Sequence, residues 1–188
     1  MGHGGDVITE LAADHREMAV LFEQIEAAVP AAATRKRLLD RLTIELVRHS
    51  VAEEQYLYPA VREKLPNGAA LADKEITDHQ RVEGLLKDLE RLDAEDRAFN
   101  ELFVKLRTEV RAHIRDEEGE LFARLREVCL PGELEALGEK VRAAKKRAPT
   151  RPHPGAPDAP PANKLLGPGL GLVDRARDLL TGRGGGPG

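Results

Sequence analysis

Apolar residues recur along the first 130 positions at steps of three and four, the spacing of one face of an α-helix. Ile8, Leu11, His15, Met18, Phe22, Ile25 and Val29 form the first stripe, which predicts a helix over about 6–29, closed by Pro30. Leu39, Leu42, Leu46, His49, Glu53, Tyr56 and Ala60 form a second, over about 34–65. Pro59 falls inside it and predicts a kink or an early end, while Pro66-Asn67-Gly68 is a turn signal. Ile76, His79, Val82, Glu83, Leu86 and Leu89 mark a third helix over about 69–92, broken by the acidic run Asp93 to Asp96. Phe99, Phe103, Leu106, Val110, His113, Glu117, Leu121 and Val128 mark a fourth over about 97–130, ended by Pro131-Gly132. Short connections favour antiparallel neighbours. The expected fold is therefore all-α, an up-down-up-down four-helix bundle over residues 1–130.

Beyond the bundle the pattern weakens. A short fifth helix is expected over 131–147, where Lys145-Lys146-Arg147 suits the negative end of a helix dipole. Gly and Pro are scarce before position 148 and crowded after it, so 148–188 reads as a tail. Within it, 148–163 is expected to be a disordered linker. Leu172, Val173, Ala176, Leu179 and Leu180 make a short amphipathic patch for the bundle or a partner, and Gly182 onward a flexible end. A net charge of −4 gives no argument for nucleic acid or a membrane surface as a partner. The lone Cys129 excludes an internal disulfide and a thiolate-rich zinc site. With no leader-like N-terminus and no long apolar run, the expected compartment is the cytoplasm.

The four helices are two copies of one helical hairpin. His15 and His79, His49 and His113, and Glu53 and Glu117 all stand 64 positions apart. Asp14 repeats as Asp78, Glu45 as Glu109 and Tyr56 as Glu120. Such a repeat implies a pseudo-twofold arrangement in which equivalent residues converge at one level of the core. Each His occupies a place on its stripe where Leu or Ile is expected, and a single buried imidazole is ordinary. Two buried carboxylates are not, because an uncompensated buried charge costs several kcal/mol or more. No Lys or Arg shares the inward positions, so a metal is the natural compensator. In His49–Glu53 and His113–Glu117 the four-residue step sets both side chains on one helix face. Imidazole with carboxylate suits iron better than calcium or structural zinc. Glu45 and Glu109, one turn back, are expected to orient the imidazoles through their second ring nitrogens. Tyr56 and Glu120 are expected near the centre as ligands or hydrogen-bond donors or acceptors. His3 and His153 read as incidental residues of flexible segments.

His15, His49-x-x-x-Glu53, His79 and His113-x-x-x-Glu117 resemble the hemerythrin family, in its bacterial hemerythrin-like (HHE cation-binding) branch, over about residues 6–130. The resemblance implies a non-haem di-iron centre with a bridging oxygen. Glu53 and Glu117 would bridge the metals, with His15, His49, His79 and His113 as terminal ligands. Oxygen-carrying members have a further His where this chain has Glu83. With one His fewer, two coordination positions stay open, or one if Glu83 binds. A Glu83 ligand is expected to favour ferric iron, and with it peroxide turnover of a catalase-like kind, or sensing of dioxygen or nitric oxide, over reversible carriage.

Three other readings compete. A ferritin-like di-iron oxidase wants Glu-x-x-His on two helices, the reverse of the order here. A non-enzymatic iron- or redox-responsive regulatory module would use the Leu172–Leu180 patch as its partner contact. A metal-free helical scaffold is the third.

Overall fold

The computed structural model describes residues 3–157 and 160–181. Its helices are α1 (Val7–Ala27), α2 (Ala32–Ala52), α3 (Tyr58–Lys64), α4 (Gly68–Glu90), α5 (Arg97–Asp116), α6 (Phe122–Val128), α7 (Pro131–Lys145) and α8 (Ala162–Thr181). Two π-helical turns, π1 (Glu53–Leu57) and π2 (Glu117–Leu121), join α2 to α3 and α5 to α6. Thus α1, α2-π1-α3, α4 and α5-π2-α6 are the four expected rods, and no strand occurs among the described residues.

Local chemistry sets the ends. The Asp6 carboxylate accepts the Thr9 amide at 2.7 Å and caps α1. Lys36 donates to the carbonyls of Leu89, Glu90 and Leu92, closing the exposed end of α4. Arg35, buried against the Phe99 ring, donates to Ala94 O and to Asn100 Oδ1, tying the α4–α5 connection to α2. At the α3–α4 corner Asn67 takes a left-handed φ of 57°. A Cβ on the following Gly68 would stand 2.1 Å from Val61 O, so the turn requires glycine there.

Pro59 is not where the second rod changes course. The irregularity is π1, just before it, and π2 repeats it where Ala123 stands in the place of Pro59. In each turn an amide donates back five residues rather than four, Tyr58 N to Glu53 O and Phe122 N to Glu117 O. The extra residue rotates everything downstream. Tyr56 leaves the inward stripe, and Tyr58 enters it.

The core is divided in two. One apolar cluster holds Met18, Phe22, Leu42, Leu46, Val82, Leu86, Phe103 and Val110. The other holds Ile8, Leu11, Ala52, Leu57, Ala72, Leu121, Phe122 and Val141. Along every rod the switch between clusters falls on a buried His or Glu, so a polar layer lies between two greasy ones. Helix α7 packs on α1, α2 and π1, with Gly138 so close that a Cβ would stand 2.8 Å from Gly5 O.

Residues 148–157 are irregular, as their composition suggests, yet held in place rather than loose. Thr150 and Arg151 amides donate to Asp174, Thr150 Oγ1 to Asp178, and the His153 amide to Glu83. The helix after it is longer than the short patch expected, and it docks through its polar side. Asp174 and Asp178 are buried, whereas Leu172, Val173 and Leu179 face outward at 67, 65 and 86% exposure. The Leu180 side chain and residues 182–188 lie outside the described part. Among the described residues no helix is long and apolar enough to cross a membrane.

Two glycines test these contacts with opposite signs. Gly68→Ala, forced against Val61 O, destabilises by about 1–3 kcal/mol. Gly84→Ala, mid-helix with open space around it, stabilises by about 0.5–1 kcal/mol. Urea unfolding of both variants reads the two changes.

Candidate metal centre

Six side chains from four rods meet in the polar layer: His15 from α1, His49 from α2, Glu53 at the start of π1, His79 from α4, His113 from α5 and Glu117 at the start of π2. All are buried, the two carboxylates completely. The imidazoles form two pairs. The Nε2 atoms of His15 and His49 are 3.2 Å apart, and those of His79 and His113 are 3.3 Å apart. Glu53 reaches both pairs, with Oε1 3.1 Å from His49 Nε2 and Oε2 3.3 Å from His79 Nε2. Glu117 does likewise, its Oε2 lying 3.5 Å from both His15 Nε2 and His113 Nε2.

The outer edge of every ring is tied to a carboxylate. Nδ1 of His15 meets Glu118 at 2.8 Å, that of His49 meets Asp14 at 3.1 Å, that of His79 meets Glu54 at 2.9 Å and that of His113 meets Glu75 at 2.7 Å. A carboxylate can only accept, so each Nδ1 carries the proton. Each Nε2 is then left as a lone pair aimed inward, at another lone pair and at carboxylate oxygens. Acceptors facing acceptors in a dry core repel. Glu53 Oε1 and Glu117 Oε2 accept no hydrogen bond at all. The arrangement calls for cations, and nitrogens about 3 Å apart match neighbouring donors on one metal ion bound at roughly 2.1 Å. Without metal, protons must serve. Burial pulls the His49 and His79 imidazoles down, but Glu53, Asp14 and Glu54 outweigh it and raise both to about 10. Burial likewise pushes Glu53 up, and the two imidazoles overcome it and hold Glu53 well below the usual carboxylate range.

The layer has one further member that sequence reasoning missed. Tyr58 is fully buried, and its hydroxyl lies 3.0 Å from Glu117 Oε1, 3.2 Å from His79 Nε2 and 3.4 Å from Glu53 Oε2. Burial raises its pKa well above the ordinary phenol value, and Glu117, Glu53 and Glu75 add to the rise, so it stays protonated. Phe122, its repeat partner, stacks on His15 at 5.9 Å as Tyr58 packs on His79 at 5.5 Å, but offers no hydroxyl. The signal lay in the repeat: Tyr58 against Phe122 is a polar-for-apolar exchange five residues after each Glu.

Other expected residues go elsewhere. Glu83 does not join the layer; its Oε1 accepts the His153 amide at 3.0 Å. Tyr56 is turned aside by π1 and lies beneath Lys164, whose Nζ is 4.3 Å from the ring centre. Glu120, 64% exposed, pairs with Arg124. Glu45 pairs with Arg48, and Glu109 lies 4.0 Å from Arg81. Neither orients an imidazole, because Nδ1 points across to the neighbouring rod, and the residues that meet it are Asp14, Glu54, Glu75 and Glu118. His3 and His153 are both engaged, His3 with Asp14 at 3.2 Å and with Glu17 at 3.6 Å, and His153 with Asp174 at 2.9 Å.

Residues 6–125 match the family described as the Hemerythrin HHE cation binding domain. A hemerythrin-like protein of Schizosaccharomyces pombe is 29% identical over 168 residues, covering 89% of this chain and 82% of that protein. A DNA nickase of Nostoc sp. is 26% identical over 139 residues, but the match spans only 38% of the nickase and 73% of this chain. Among solved structures, a hemerythrin HHE cation binding domain-containing protein from Mycobacterium kansasii superposes with a TM-score of 0.66 at 27% identity, covering 75% of this chain and 85% of that one. On the repeat, the buried His/Glu layer and these matches together, the chain belongs to the hemerythrin HHE cation-binding family.

Proposed function

We propose that this chain holds two iron ions in the polar layer and acts on or senses peroxide, dioxygen or nitric oxide. His15 and His49 would hold one ion, His79 and His113 the other, and Glu53 and Glu117 would serve both. The observation that carries this reading is the reach of Glu53: its two oxygens address different imidazole pairs, 3.1 and 3.3 Å away. One ion would leave half of those inward lone pairs unanswered. The donor set of four imidazoles and two carboxylates, with no thiolate, favours iron. Bound iron supplies electron transfer to small oxygen- or nitrogen-centred ligands.

The chain supplies the rest. Tyr58 holds a proton at its Oη, 3.2 Å from His79 Nε2, and can deliver it to an oxygen of a ligand arriving beside the His79–His113 pair. Phe122 has no such proton at the His15–His49 pair, so the two halves differ in whether they can protonate an arriving ligand. A cavity of about 390 Å³, walled by Val47, Val51, Leu86 and the 149–157 segment, reaches Glu54 and His79 and offers a small ligand a route to that pair.

A second reading, a redox-responsive regulatory module, draws on α8: its Leu172, Val173 and Leu179 face outward, as a partner contact requires.

Three outcomes follow. Elemental analysis of protein loaded without a His tag gives about two iron per chain, and Glu53→Leu lowers this to about one or fewer; zinc alone, or a single iron in the native chain, contradicts the assignment. Tyr58→Phe keeps both irons and slows hydrogen peroxide consumption about 100-fold; an unchanged rate removes Tyr58 from the chemistry. Metal-free protein loses stability with rising pH. His49 and His79 bind protons more tightly folded than unfolded, so their contribution is whole below about 6.5 and disappears as pH climbs through about 10. Iron-loaded protein, with cations in place of those protons, shows a much flatter profile in thermal melts across that window.

A further inference from the structure

We propose that Lys145 is a positioning residue that sets the electron-donor strength of His49 by acting through Asp14. The proposal rests on the reading of the polar layer as a redox-active iron centre. Lys145 closes α7, beyond the residues matched by the family. Its Nζ lies 2.5 Å from Asp14 Oδ1 and 2.8 Å from Glu10 Oε1. The other Asp14 oxygen meets His49 Nδ1 at 3.1 Å. An ammonium, a carboxylate and an imidazole thus form one continuous line from α7 into the centre.

Burial makes this line more than a surface ion pair. Lys145 is 6% exposed, Asp14 3% and Glu10 0%. Desolvating such a group is costly, and a buried pair seldom repays that with net stability. The bundle nevertheless builds α7 to bring it there. Gly138 lets α7 approach the backbone of Gly5 and Asp6, Arg142 donates to Gly5 O at 2.7 Å, and Val141 is fully buried against the lower core. The other half carries a looser version of the same line. Lys74 lies 3.1 Å from Glu75, which holds His113 Nδ1, but Lys74 is 45% exposed and shared with Asp78 and Asp116. Water screens that charge, whereas Lys145 is almost wholly shielded from it.

The consequence is electronic. A carboxylate on Nδ1 pushes charge into the ring and makes Nε2 a stronger donor. Lys145 draws part of the Asp14 charge away, so His49 donates less strongly and iron bound to it is easier to reduce. It also holds Asp14 in the orientation that keeps the proton on Nδ1.

Potentiometric titration of the iron-loaded, full-length protein, followed by its absorption spectrum, tests this. Lys145→Met shifts the equilibrium at least tenfold toward oxidised iron, which for one electron lowers the midpoint by about 59 mV. Lys145→Arg, which keeps the charge, restores the native value to within about threefold. Asp14→Asn, which removes the donated charge, shifts the midpoint the opposite way. Opposite shifts from two touching residues are not what a merely structural pair gives. Should Lys145→Met fail to hold iron, Lys145→Gln, which removes the charge but keeps a polar side chain, decides by the same downward shift. Unchanged midpoints in folded, iron-loaded variants, or shifts in the same direction, overturn the role of Lys145 while leaving the centre intact. A native chain that takes up no iron overturns both.

Discussion

Four carboxylates pin the outer nitrogen of four imidazoles, and most of what is distinctive in this molecule depends on that. With the Nδ1 protons committed to Asp14, Glu54, Glu75 and Glu118, the Nε2 lone pairs have nowhere to point but at one another and at Glu53 and Glu117. With neutral imidazoles and ionised carboxylates, such a layer is unstable in a dry core. It needs positive charge, supplied by protons at the expense of strongly shifted pKa values or by metal ions. Each pinning contact also crosses between rods, α1 to α2, α1 to π2, α4 to π1 and α4 to α5, so the bonds that set the tautomers also set the helix positions.

The apolar clusters above and below give the layer its rigidity. Leu46, Val82 and Val110 close it on one side, Leu11, Ala52 and Leu121 on the other, and both exclude water. The two π turns sit at the level of the layer and begin at its two carboxylates. By spending one extra residue per turn they bring Glu53 and Tyr58, or Glu117 and Phe122, to the same side of a rod, which a regular helix does not allow at a spacing of five.

The bundle and the six converging side chains were legible in the sequence because both are periodic. A three-and-four step reveals a helix face, and an offset of 64 aligns two hairpins, so buried His15, His49, His79 and His113 stand out against their leucine neighbours. What escaped was whatever breaks the period or crosses between rods. The regular period places Tyr56 inward and gives Tyr58 no part, because a π turn leaves no compositional mark. Local spacing points to Glu45 and Glu109 as the orienting carboxylates because they lie one turn from an imidazole, whereas the actual partners come from adjacent rods and are invisible to it. Glu83 stands one turn from His79, but the 148–157 segment claims its carboxylate through the His153 amide. The tail misled in the same way: its apolar side suggested how it would dock, but its aspartates make the contacts.

The claim that two cations complete this layer is tested most directly by anomalous diffraction at the iron edge from crystals of the iron-loaded protein. The account predicts two peaks per chain, one among His15, His49, Glu53 and Glu117, the other among His79, His113, Glu53 and Glu117. A single peak, or density only at an outer group such as His3, Asp14 and Glu17, would contradict it.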